Sequence, residues 1–129
     1  MPPSPRQQVA KIIGDLGHKA DILLGVIVLE TDKKLKEQSP VDEGTFRASW
    51  RISETEIDES VNKEGDTTTQ NYSNKIEIGN NYYLTNSLPY AQRLAEGWSQ
   101  QAPSGWVELI AAGIPPRAEQ IAEDLKRGS

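Results

Sequence analysis

The stretch Pro5 to Glu37, PRQQVAKIIGDLGHKADILLGVIVLETDKKLKE, decides the architecture. Val9, Ile12, Ile13, Leu16, Ala20, Leu23 and Ile27 recur at steps of three and four, the spacing that lines one face of an α-helix. Pro5 suits the first helical turn and Ser4 before it suits an N-cap. Ser39-Pro40 ends the run, because a residue before proline avoids helical angles. A straight helix over 5–37 would measure about 45–50 Å. A compact globule of 129 residues has a diameter of roughly 36 Å. The helix therefore bends or projects, and Gly14 to Gly17 is the expected break. Within it, Ile22–Leu29 is apolar around nearly the whole circumference and is bounded by Asp21 and Glu30. A helix greasy on all sides is buried on more than one side. This short chain has little material to cover both, which points to a partner subunit.

Beyond Pro40 the period changes. Asp42 reads as the cap of a short turn through Thr45, shaped with Pro40, Val41 and Gly44. Ala48, Trp50 and Ile52 then alternate with Ser49, Arg51 and Ser53, the pattern of a half-buried strand. Asp58 to Ser73 is almost purely polar and reads as a long loop. Lys75–Gly79 and Tyr82–Thr85 are expected as two further strands around an Asn80-Asn81 turn, giving a three-stranded antiparallel sheet within 44–87. Tyr90, Ala91, Leu94 and Ala95 make a short helix over 90–97, stopped by Gly97. Trp106, Leu109, Ile110, Ile114, Ala118, Ile121, Ala122 and Leu125 keep helical phase to the C-terminus. Pro115-Pro116 interrupts that phase, so the expectation is two helices, 104–113 and 116–127. The fold class is α+β in one domain over 1–129: a long N-terminal helix on a small antiparallel sheet, a short helix, and a C-terminal helix broken at the prolines.

Composition narrows the chemistry. No cysteine excludes disulfides, thiolate zinc sites and a cysteine nucleophile, and a single histidine, His18, excludes multi-histidine metal centres. Neither neighbour of His18 four residues away, Gly14 or Ile22, can ligate a metal. The acidic residues between Glu54 and Asp66 match no calcium loop and read as a solvated stretch. No G-x-S-x-G, phosphate loop or dinucleotide fingerprint occurs, and no pair of carboxylates is set for hydrolysis. The reading is of a protein that is not an enzyme and takes no cofactor. With 14 basic and 19 acidic residues the net charge is −5, a poor basis for binding nucleic acid. Apolar residues make 36% of the chain, about 44% with its 10 glycines, a lean supply beside the usual 45–50% that fits a domain completed by neighbours. The N-terminal MPPSPRQQ lacks a signal-peptide core, and the longest apolar run is far short of the about 20 residues of a membrane span. Synthesis in a cytoplasm is expected.

Two stretches are more particular: SPVDEGTFRASW (Ser39–Trp50) and NSLPYAQRLAEGWSQQAPSGWVEL (Asn86–Leu109). Together they resemble the phage neck and tail-completion family, small tail components of long-tailed phages that help join head to tail. The close likeness covers about 36 of 129 residues, and the order of elements is similar over most of the chain. Family members usually run the last helix unbroken, so the proline pair is a departure, and the Asp58–Ser73 loop belongs to this branch.

The resemblance implies a structural virion protein that forms a ring in the neck, between portal or adaptor and the tail terminator or tail tube. It would be assembled in the host cytoplasm and located in the virion. A six-fold ring is the expectation and a twelve-fold ring the variant. Six copies at −5 each carry about −30, which lets DNA pass a lumen without specific binding. The competing readings are a tail terminator ring and a non-viral protein-binding adaptor.

Leu24 and Val28 on the first helix are assigned to the subunit or partner interface, with Arg47, Trp50 and Tyr90. Glu96 joins them as the candidate carboxylate for the planar fork of Arg47. Trp98, Ser99, Gln101 and Pro103, in the polar run between the two last helices, complete the set, with Trp98 as the contact to a neighbour. Trp106 is assigned to the core and Tyr90 to packing under the short helix.

Overall fold

The computed structural model describes residues 2–40, 44–95 and 105–128. In chain order the elements are α1 (Pro5–Gly14), a 3-10 turn (Gly17–Lys19), α2 (Ala20–Gln38), α3 (Gly44–Ala48), β1 (Arg51–Glu54), β2 (Tyr82–Thr85), α4 (Ala91–Ala95) and α5 (Trp106–Arg127). The class is α+β, with a two-stranded antiparallel sheet.

Ser4 caps α1 through a reciprocal box: Gln7 N–H donates to Ser4 Oγ at 3.1 Å, and Ser4 N–H donates to Gln7 Oε1 at 2.8 Å. Pro5 occupies the first turn, where its missing N–H costs nothing. The long helix breaks between Gly14 and Gly17. Asp15 and Leu16 close i−3 bonds to Ile12 and Ile13, and Gly17 turns the chain at φ +58°, a left-handed angle that glycine adopts without penalty.

The C-terminal helix differs from the expectation: Trp106–Arg127 is one helix with both prolines inside it. Lacking N–H groups, Pro115 and Pro116 leave the carbonyls of Ala111 and Ala112 without the usual helical partner. Ala112 is exposed, so water can serve its carbonyl. The helical phase survives because side chains anchor both flanks. Trp106 and Ile110 sit in one core, while Ala118, Ile121 and Ala122 sit in another, against which Ile114 packs. Arg117 adds a fork onto Glu30 of α2, with Nε to Oε2 at 3.0 Å and Nη2 to Oε1 at 2.9 Å.

Two cores result, and α2 and α5 run through both. The first joins Val9, Leu16, Ala20, Leu23 and Ile27 to Ala118, Ile121 and Ala122. The second is aromatic: Phe46 and Trp106 are 1% exposed, Trp50 is 6% exposed, and Leu35, Leu88, Leu94 and Ile110 close around them. Phe46 meets Trp50 edge-on at 5.8 Å between centroids, and Trp50 meets Trp106 at 6.3 Å.

The sheet is smaller than expected. β1 pairs with β2 in the register Arg51↔Thr85, Ile52↔Leu84, Ser53↔Tyr83, Glu54↔Tyr82. Ala48 to Trp50 is not strand. Ala48 closes α3, and Ser49 is fully buried with its hydroxyl donated to Thr45 O at 2.7 Å, which breaks the supposed alternation. Lys75–Gly79 is not strand either. Side chains take its N–H groups: Glu77 N–H donates to Tyr82 Oη at 2.8 Å and Ile78 N–H to Asp21 Oδ1 at 2.7 Å.

The polar loop has no regular structure, as expected, yet it is fastened to α3 and β1. Asn62 N–H donates to Ser49 Oγ at 3.0 Å, Arg51 Nη2 to Asn62 Oδ1 at 2.7 Å, and Gly65 N–H to Thr45 Oγ1 at 2.9 Å. A Cβ on Gly44 would lie 2.8 Å from Thr67 Cγ2, so a larger residue there would force the Thr67 side chain to shift.

Candidate assembly surface

At 100° per residue, α2 divides into three sectors. Leu23 and Ile27 point into the first core. Leu24 and Val28 point to one side, into an apolar groove of about 590 Å³ shared with Val9, Ile13, Leu84 and Ile114. Ile22 and Leu29, two turns apart, point away from both and are 54% and 50% exposed. Gly25 between them faces open space. The helix thus buries one face, half-covers a second in the groove and leaves a third to solvent. Arg6, the one charged residue lining the groove among the described residues, donates from Nη2 to Asn81 Oδ1 at 3.1 Å.

The interface residues expected from sequence separate into three groups. Leu24 and Val28 come together in the groove, although Val28 is only 4% exposed. Trp50 is corrected to the interior. Its indole N–H donates to Ser39 Oγ at 3.0 Å, and Ser39 Oγ in turn donates to Leu35 O at 2.6 Å, so a buried polar chain holds the ring inside. Tyr90 packs half-buried on the second core, 6.5 Å from Phe46, and Trp106 is buried with its N–H donated to Leu94 O at 2.9 Å. Arg47 Nη2 donates to Ser39 O at 2.9 Å, tying α3 to the end of α2, while its buried Nε has no hydrogen-bond partner. Glu96, Trp98, Ser99, Gln101 and Pro103 lie outside the described residues, as do Val41 and Asp42.

Three further features lie outside the sequence-derived expectations, and of these the Asp32–Lys36 pair, four residues apart on one helix, had a local signal. The Glu30–Arg117 fork joins residues 87 positions apart, and no local spacing announces it. Asp32, 9% exposed, accepts from Lys36 Nζ at 2.7 Å through Oδ2 and leaves Oδ1 buried without a partner. On the outer edge of β1, the side-chain amide of Gln70 makes two bonds to the main chain of Ile52, beside a polar crevice of about 430 Å³ bordered by residues 70–74.

Electrostatics follow these contacts. The hydrogen bonds and charge of Arg117 hold the Glu30 carboxyl below the usual carboxylate range. Hydrogen bonds from Ser60 lower Asp58, and those from Thr68 lower Asp66, the signature of two tight loop turns. Burial pushes the Tyr72 hydroxyl up. Among the described residues no three His, Asp or Glu side chains gather to hold a metal ion, and no helix is long and apolar enough to cross a membrane. Comparison of the chain with family models, curated proteins and solved structures returned no match.

Proposed function

We propose that this chain is a structural virion protein of a tailed phage, a ring component of the neck that joins head to tail. The observation that carries the reading is how the two resemblance-bearing stretches meet. Ser39–Trp50 and Asn86–Leu109 are 35 residues apart in sequence, yet they supply Phe46, Trp50, Leu88, Leu94 and Trp106, most of the second core. Asn86 Nδ2 also donates to Phe46 O at 2.7 Å, bonding one stretch to the other. The pair therefore acts as one packing unit, the kind of feature a family resemblance tracks. The outward sector of α2 adds to it, since Ile22 and Leu29 are large apolar side chains left about half exposed in the single chain. The work of such a protein is mechanical and adhesive.

Deletion of the gene is the direct test. Filled heads beside separate tails, or tails of faulty length, are the expected result, with the chain present in wild-type particles at a fixed low copy number by quantitative mass spectrometry. Infectious particles of normal form from the deletion strain would refute the neck assignment. The purified protein should also bind DNA weakly and without sequence preference at physiological salt, and nanomolar binding would contradict the charge argument.

A further inference from the structure

Among the described residues, two lengths of main chain carry strand chemistry without a strand partner. One is the outer edge of β1. Ile52 N–H donates to Gln70 Oε1 at 2.8 Å, and Ile52 O accepts from Gln70 Nε2 at 3.0 Å. A primary amide offers one acceptor and one donor in a plane, as a peptide group does, so Gln70 occupies the place of a residue in a third strand. The crevice of about 430 Å³ leaves room along that edge. The other length is Lys75–Ile78. It alternates charged and β-branched residues as a strand does, yet its main chain is irregular and the N–H groups of Glu77 and Ile78 are held by Tyr82 Oη and Asp21 Oδ1. Ile78 is 42% exposed. The segment starts next to Asn74, which borders the β1 crevice with Gln70, and ends at Ile78, which bonds to Asp21 of α2 and lines the groove with Leu84.

We propose that Lys75–Ile78 of one copy adds as an antiparallel strand to the outer edge of β1 in the next copy, with the Gln70 amide swung out of the way. One register suits Arg51, Ile52 and Ser53 together. Ile76 opposite Ile52 replaces both Gln70 bonds with main-chain bonds and pairs two apolar side chains. It also sets Glu77 opposite Arg51, opposite charges, and Lys75 opposite Ser53. A slip of one residue turns the isoleucines to the wrong face. A slip of two in one direction keeps an isoleucine, Ile78, opposite Ile52 but sets Ile76 against Glu54 and loses the Glu77–Arg51 pairing; in the other direction it sets Asn74 against buried Ile52. Parallel pairing in this register would place Lys75 against Arg51, like against like. Donor segment and acceptor edge are different stretches of the chain, so the contact repeated from copy to copy runs head-to-tail, the kind that closes rings. The inference deepens the neck-ring reading and rests on it only in requiring that copies meet.

The natural absence of cysteine makes the test clean. Chains carrying Ser53→Cys and chains carrying Lys75→Cys are mixed and oxidised, so that no intrachain disulfide can form. The mixed product should exceed either self-product, and Ser53→Cys mixed with Glu77→Cys, displaced by about 6.8 Å along the strand, should link poorly. Ile76→Pro, which removes the required N–H, should abolish the mixed product at unchanged melting temperature. Gln70→Ala, which clears the edge, should raise its yield several-fold. No mixed product up to millimolar protein, equal yields from the offset pair, or an unaffected Ile76→Pro chain would each overturn the contact. The same cysteine pair in assembled particles separates the two claims. Chain present without the cross-link overturns the contact alone, while absence of the chain from particles overturns the ring reading and leaves a register-specific cross-link in favour of the contact.

Discussion

Replacing Ile22 and Leu29 together by lysine separates an adhesive surface from a merely exposed one. Full burial of an isoleucine or leucine side chain contributes about 1.5–3 kcal/mol. At 54% and 50% exposure each realises about half of that within its own chain, and the lysine stems lie along the surface and recover part of it. The isolated protein should therefore lose only about 1 kcal/mol, a fall of roughly 3–6 °C in Tm for a chain of this size. If a neighbour in the particle covers both side chains, the unrealised half, about 1.5–3 kcal/mol for the pair, belongs to assembly. At 1.4 kcal/mol per decade that is a loss of roughly ten- to a hundredfold in incorporation. The assay is competition: wild-type and double-variant chains are co-expressed during infection and their ratio in purified particles is read by mass spectrometry, with thermal melts of each purified chain alongside. Incorporation at the expressed ratio would refute the reasoning, because the α2 stripe would then face solvent in the particle as it does in the single chain.

Further expectations concern the free chain. Ser39→Ala removes the acceptor of the buried Trp50 N–H and should cost about 1–3 kcal/mol in urea melts, whereas a loss below about 0.5 kcal/mol would show that the indole finds another partner. Thr55 holds φ at +71°, a left-handed angle that costs a side-chain-bearing residue about 1–2 kcal/mol, so Thr55→Gly should stabilise by roughly 0.5–1 kcal/mol once the entropy of glycine is subtracted. Glu30→Gln should cost up to about 1 kcal/mol near pH 7, since both partners of the Arg117 fork are more than a third exposed and solvent screens them. A carboxyl held below its ordinary value of 4.5 contributes fully above that pH and loses its contribution as pH falls through the lower folded value. The melting temperatures of wild type and Glu30→Gln should accordingly converge in acid, and a constant gap would be inconsistent with the ion pair.

What was legible in the sequence was what local chemistry dictates. Ser4 and Pro5 announce the start of α1, Gly14 to Gly17 its break, and the phase of Trp106 its place in the core. The misread elements are those where distant side chains decide. Lys75–Gly79 has a strand pattern, but Tyr82 and Asp21 capture its N–H groups. Pro115-Pro116 reads as a stop, but the packing of α5 on α1 and α2 carries the helix across it. For the assembly surface, periodicity revealed that Ile22–Leu29 is apolar all round without saying which residues face outward. Leu24 and Val28, expected at the interface, line the groove, while Ile22 and Leu29 form the open stripe. The sector a helix shows to solvent depends on where its neighbours sit, and those neighbours, α5 and the turn before β2, lie more than 45 residues further along the chain.

The two acids that bound the apolar run explain why that sector stays open. Asp21 and Glu30 lie on opposite sides of α2, about 180° apart by helical phase. Asp21 accepts the Ile78 N–H and so fixes the turn before β2 along one flank, while Glu30 takes the Arg117 fork and fixes α5 along the other. Each bond holds a covering element at its own edge of the helix. Neither element can slide across the face between them without breaking a charge-assisted hydrogen bond, worth more than a neutral one. Ile22, Gly25 and Leu29 occupy that intervening face. The exposure is thus built by the same contacts that stabilise the fold. A rigid helix presenting side chains in fixed positions needs little further ordering when a neighbour docks, which lowers the entropic cost of association relative to a flexible patch of equal area.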